Sequence, residues 1–227
     1  MPRLRLQRRL RFVILTMRAT LEAVAFMHEA SMVHRSLSGA SLLLSTNDDR
    51  VTDPQRIVVK LTDLGFATTI PEAAMDPSLL RRARRLGCAN SPFEITAFVT
   101  GEDLHALGLA FLELLFSSLV AREAEEKEGA LPSDQATFQR LYEDVFECDI
   151  LRLRDYCMEE PIWEAAVSFL DEDGGSGWNF IEILLSARAV RAPANSFREA
   201  PAVLDPTARL VTARALMESP FLTRQLR

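Results

Sequence analysis

Between Leu104 and Val120 the chain reads LHALGLAFLELLFSSLV, apolar on nearly every side of a helix, with His105 and Glu113 as its only ionisable residues. A helix with no polar face has to be enclosed by other elements, so any fold must be built around this one. The expectation is a core helix from about Glu102 to Val120. His105 and Glu113 keep the run short of the roughly 18–20 unbroken apolar residues that cross a bilayer, and no membrane span is expected.

The chain has 227 residues, 48% of them hydrophobic, enough to bury a sizeable core in one domain spanning 1–227. Nine Gly and eleven Pro recur at no fixed period, which speaks against solenoid and low-complexity architectures. Charge is segregated: the net is −6, but residues 101–175 hold 19 acidic and five basic residues, a local −14 that leaves +8 for the remainder. A nucleic-acid partner requires a continuous basic face, so none is expected. The three cysteines, Cys88, Cys148 and Cys157, are odd in number and lack C-x-x-C spacing, so they predict reduced thiols in an intracellular compartment. Six Arg and no acid in the first 21 residues would suit an organelle transit segment. However, Leu6, Leu10, Val13, Ile14, Met17, Leu21 and Val24 recur every three or four residues, which predicts a helix to about Ala30. The compartment is therefore cytoplasm or plastid.

The remaining pattern is mainly α. Two short branched runs, Leu42–Ser45 and Ile57–Thr62, flank a polar stretch with Asp48, Asp49, Asp53 and Pro54, the signature of a β-hairpin with a long turn. Residues 66–100 contain Pro71, Pro77, Gly87 and Pro92 and predict an extended loop with one turn of helix around Pro77–Arg85. Ala121–Gly129 is a charge run. Helical spacing follows over Phe138–Met158, Trp163–Leu170, Trp178–Ala189 and Pro206–Met217, and Gly174-Gly-Ser-Gly predicts a turn.

Most familiar site signatures are missing. There is no Walker or dinucleotide glycine cradle and no G-x-S-x-G elbow. His28 and His34 lack the H-E-x-x-H spacing that sets two imidazoles on one helix face for zinc.

One ordered set does stand out: His34-Arg-Ser-Leu-Ser-Gly-Ala-Ser41, Asp63-Leu-Gly65 after a branched strand, Pro92-Phe-Glu94, Asp103 at the head of the apolar helix, and Asp205-Pro-Thr-Ala-Arg209. In this order the segments resemble the C-terminal lobe of a protein kinase, over nearly the whole chain from about Leu6 to Leu222. The resemblance implies a kinase-like C-terminal lobe with one small hairpin and no N-terminal lobe. Asp103 is implied to tie the central helix to the backbone of the catalytic loop, which begins at His34 and Arg35. Glu94 and Arg209 are implied to form a buried ion pair, an arrangement that costs about 3–5 kcal/mol when one partner is removed.

The same resemblance marks the catalytic positions as degenerate. A kinase loop reads H-R-D-L-x-x-x-N, with Asp as base and Asn on magnesium. Here Ser36 stands at the Asp position, Ser38 at that of the usual lysine and Ser41 at that of the Asn. A serine hydroxyl is neither a base near neutral pH nor a charge for a metal, and loss of the general base alone costs about 10²–10⁴ in rate. Asp63 remains as a magnesium ligand, with Gly65 completing its triplet. The only lysines, Lys60 and Lys127, do not sit in a strand placed to hold phosphate. ATP and magnesium are accordingly expected to be held poorly or not at all. The acidic segment 121–178 resembles an insertion of kinase-like proteins of plants and algae, and Arg81, Arg82, Arg84 and Arg85 suit an acidic or phosphorylated partner. The expectation is a pseudokinase-like domain that works by protein binding, with an apolar surface near Leu42–Leu44 and Leu64 that favours association. The alternative is the C-terminal part of an active Ser/Thr kinase that uses Asp63.

Overall fold

Apolar residues spaced every three to four positions need one long helix to bring them to a common side, and α1 (Pro2–Glu29) does so. Val13, Ile14, Met17, Leu21 and Val24 are each at most 1% exposed in this computed structural model. The structure describes residues 2–51, 53–88, 91–120, 133–188 and 211–224. The helix stops at Ser31, whose φ of +59° reverses the chain.

Two small antiparallel sheets follow, where the sequence predicts a single hairpin. In one, β1 (Met32–Val33) pairs with β4 (Thr68–Thr69); in the other, β2 (Leu42–Leu44) pairs with β3 (Val59–Leu61) in the register Leu43 opposite Lys60. The predicted hairpin is β2–β3. The β1–β4 pair was not legible because two-residue strands carry no alternation, and its register is set by chain segments 36 residues apart.

The predicted loop over residues 66–100 is largely helical. Its helices are α2 (Ile70–Met75), α3 (Pro77–Arg85) and the first turns of α4 (Pro92–Ser118). The prolines that suggested a loop all sit in first helical turns, where no N–H partner is needed and φ is already suitable. Caps do the rest: Thr69 and Glu72 form a capping box, while Asp76 and Ser91 accept from the amides of Ser78 and Glu94.

The buried helix therefore starts ten residues earlier than expected. By length and composition α4 could cross a membrane, but 72% of its most apolar window is buried inside the protein. Leu104, Leu107, Phe111, Leu112, Leu115 and Phe116 are fully enclosed. Around them pack α1, α5 (Gln135–Arg140), and α7 (Glu164–Leu185), the last with the most extensive contact. Phe116, Phe138 and Trp163 form a tight aromatic knot, with Phe116 5.0 Å and 5.2 Å from the other two centroids.

The expected single helix over Phe138–Met158 is broken. A π-helical turn over Leu141–Val145 follows α5, the chain reverses through left-handed Glu147 and Cys148, and α6 (Ile150–Met158) restarts under an Asp149 cap. The turn expected at Gly174-Gly-Ser-Gly interrupts α7 at Glu172–Gly175, with Gly174 and Gly175 at φ +68° and +84°. Near the C-terminus, α8 (Ala213–Leu216) and α9 (Pro220–Arg224) close the described chain. The charge run and the first five residues of the expected helix over Pro206–Met217, including Arg209, lie outside the described residues, and α8 occupies part of the rest. Phe138, Ile150, Leu153 and Trp163, all within the acidic segment, belong to the same core as α1 and α4.

Candidate functional site

The strongest concentration of polar order lies where α4 meets the loop between β1 and β2. Asp103 is 1% exposed, yet it is fully partnered. The His34 amide donates to Oδ2 at 2.7 Å, the Arg35 amide to Oδ1 at 2.8 Å, and His28 Nε2 lies 3.0 Å from Oδ2. A carboxylate only accepts, so His28 carries its proton on Nε2. Three converging donors are what a buried carboxylate needs to offset lost hydration.

The loop is also tied from the other side. His34, completely buried, places Nε2 2.9 Å from the Thr62 carbonyl, so that nitrogen donates. Nδ1 is then free to receive the Ser36 hydroxyl at 3.3 Å. Ser41 is 1% exposed and accepts from the Ser38 amide while donating to the Ser38 carbonyl, both at 2.8 Å. The Ser41 hydroxyl thus closes a one-turn helix, Gly39–Ser41, with its one proton already donated. Ser38 is the N-cap of the same turn, its carbonyl accepting from the Ser41 amide at 3.0 Å. Arg35, at φ +68°, pairs its guanidinium with Asp76, the residue that caps α3. Hydrogen bonding from the Ser78 amide, assisted by Arg35, holds the Asp76 carboxyl below its ordinary range.

Asp63 follows β3 in the left-handed region, φ +59° and ψ +50°, a conformation Asp tolerates better than most residues. Its side chain is exposed and makes no hydrogen bond or ion pair among the described residues. Gly65 is exposed, with open space where a Cβ would lie, so the special backbone geometry of this triplet falls on Asp63. Among the described residues no three His, Cys, Asp or Glu side chains are grouped to hold a metal ion. Glu94 lies in the first turn of α4, its amide capped by Ser91, and its expected partner Arg209 lies outside the described residues.

Large apolar side chains stand in solvent around Asp63. Leu64 and Phe66 are 54% and 67% exposed, and Leu43 and Val58 on the outer face of the hairpin are 58% and 47% exposed. Leu43 and Val58 share that face with Lys60 because side chains alternate along a strand.

Sequence reasoning missed a second polar network, on the opposite face of α4 from Asp103. His105 is 4% exposed and stands between two oxygens that only accept: its Nδ1 is 2.7 Å from the Leu185 carbonyl and its Nε2 2.9 Å from Glu143. The ring therefore donates to at least one of them. Glu143 also receives Arg188 at 2.8 Å; Arg188 reaches Glu102, and Glu102 pairs with Arg82 of α3. Hydrogen bonding from His105 and the positive charge of Arg188 hold the Glu143 carboxyl at about 2, against the opposing effect of burial. The one available signal was a histidine in the most apolar stretch of the chain. Its partners lie 38 and 80 residues away and could not be named from spacing.

No protein-family model matches the chain, and no curated protein matches it.

Proposed function

We propose that this chain is a degenerate protein-kinase-like lobe that acts by binding another protein, and that it transfers no phosphate. The observation that carries the reading is the state of the loop hydroxyls. At the three positions where phosphoryl transfer would need an acid, a cation and an amide, the loop offers serines, and two of those hydroxyls are engaged inside the loop, Ser36 on His34 and Ser41 on the Ser38 backbone. The loop itself is held firmly by Asp103, a combination of intact support and absent chemistry. Leu43, Val58, Leu64 and Phe66 then give a protein partner an apolar surface.

Purified protein incubated with radiolabelled ATP, magnesium and generic protein substrates should give no incorporation above a denatured control. The second reading, the C-terminal part of an active Ser/Thr kinase, draws on the exposed, unengaged carboxylate of Asp63. Incorporation that disappears in Asp63→Asn would establish that reading and end the first.

A further inference from the structure

Helix α3 carries three guanidinium groups that form no ion pair among the described residues. Leu79 and Ala83 are buried in a small cluster with Phe98 and Val99 of α4, which turns Arg81, Arg82, Arg84 and Arg85 outward. Arg82 pairs with Glu102, whereas Arg81, Arg84 and Arg85 form no ion pair among the described residues. Spaced at i, i+3 and i+4, these three lie on one face, where like charges repel. The negative end of the helix dipole offsets part of that repulsion, since the basic residues fill the last turn. Leu86, at the end of the same helix, is 40% exposed.

The opposite arrangement occurs on α6. Ile150, Leu153 and Cys157 face the core, and Asp155, Met158 and Glu159, again at i, i+3 and i+4, face solvent. Met158 is 51% exposed. Asp155 pairs with the adjacent Arg154 at 3.3 Å, and the exposed Glu164 opens α7 just beyond. The last turn of α6 contains no basic residue, so these carboxylates sit where the helix dipole disfavours them. Among the described residues α3 thus presents three guanidinium groups without an ion pair, and the end of α6 with the start of α7 presents the carboxylates of Asp155, Glu159 and Glu164, opposite in sign. Each also has one exposed apolar side chain beside it.

We infer that α3 of one copy docks on the acidic corner of a second copy formed by the end of α6 and the start of α7. The occupant is assigned by charge complementarity: segment 101–175 carries −14 and the remainder +8, so the chain presents both halves of the contact. The two surfaces differ, so the contact is head-to-tail. One nine-residue helix covers little area, which places the contact at the small, electrostatic end of protein interfaces, where salt controls association. The inference is independent of the kinase-like reading, because neither surface includes the Asp103 loop.

Sedimentation of the full chain over a dilution series, at low and at high salt, tests it. Wild type should associate at low salt and dissociate at high salt. R81E/R84E/R85E and D155K/E159K/E164K should each be monomeric, an equimolar mixture of the two should regain association, and R81K/R84K/R85K should behave as wild type. Recovery on mixing requires both reversed variants to be folded, which separates a lost contact from a lost fold. A wild type that stays monomeric at low salt would overturn the inference. So would association that salt leaves unchanged and R81E/R84E/R85E retains, or a mixture that does not recover, since a different acidic partner would then be the occupant.

Discussion

Asp103 shows how one side chain organises a site. Its two oxygens gather donors from positions 28, 34 and 35, which join the end of α1, the start of the loop and the middle of α4. Asp103→Ala would leave two backbone amides without an acceptor, and the loss should be about 3–5 kcal/mol, read as a lower urea midpoint with unchanged slope. Asp63→Ala removes a solvated carboxylate with no partner among the described residues and should shift the midpoint by no more than about 0.5 kcal/mol. Equal losses in the two variants would contradict this account of the loop. Glu143 makes a pH-dependent contribution. Its folded value of about 2 lies below the ordinary 4.5, so its stabilisation is complete above pH 4.5 and is lost as pH falls toward 2. The contribution is at most about 3 kcal/mol. Stability measured between pH 5 and 2.5 should fall less steeply in Glu143→Gln than in wild type, and parallel acid limbs would remove His105 and Arg188 as the cause.

At the scale of elements, what was legible depended on length and on pattern. α1 and α4 are long, and their apolar residues alone require helices, so both could be read from spacing. The short helix α2 was hidden by Pro71, which marks a loop in composition but a helix start in context, whereas α3 lies where one turn of helix was expected, Pro77–Arg85, and runs longer than one turn. The break between α5 and α6 was hidden for the opposite reason: Phe138, Leu141, Tyr142 and Ile150 keep a helix-like spacing although the chain reverses between them at Glu147 and Cys148. The glycine turn inside α7 was visible, but its tight packing was not. A Cβ on Gly177 would stand 2.8 Å from Leu170 Cα and 2.9 Å from a Phe221 ring carbon, so the turn is locked between the two halves of α7 and α9. Gly177→Ala should destabilise the fold by about 1–3 kcal/mol through overpacking, whereas a thermal midpoint within error of wild type would show that the turn yields.

For the molecule as a whole, the unresolved matter is its exposed apolar side. Leu64 and Phe66 follow Asp63, and Leu43 and Val58 share the outer face of the hairpin, all standing in solvent where apolar groups offer a surface to other apolar groups. Leu43→Ser combined with Phe66→Ser should reduce binding of a hydrophobic dye without lowering the thermal midpoint. Unchanged dye binding would show that the surface is not the sticky one. The candidate site divides in the same way as the fold. Ser36, Ser38, Ser41 and Asp63 could be singled out from their order along the chain, because local order survives in sequence. That the Ser36 and Ser41 hydroxyls are turned inward rests on partners two and three residues away, a matter of side-chain rotation that residue order does not record; that His28 is the third donor to Asp103 and that His105 binds Glu143 and Leu185 depended on segments brought together from 38 to 80 residues apart. The sequence by itself determined a mainly helical chain wrapped on one apolar helix, since burying a helix with no polar face leaves few alternatives. Only the tertiary structure decided which polar groups meet inside it, because a hydrogen bond is set by a few tenths of an ångström in space and leaves no period in the chain.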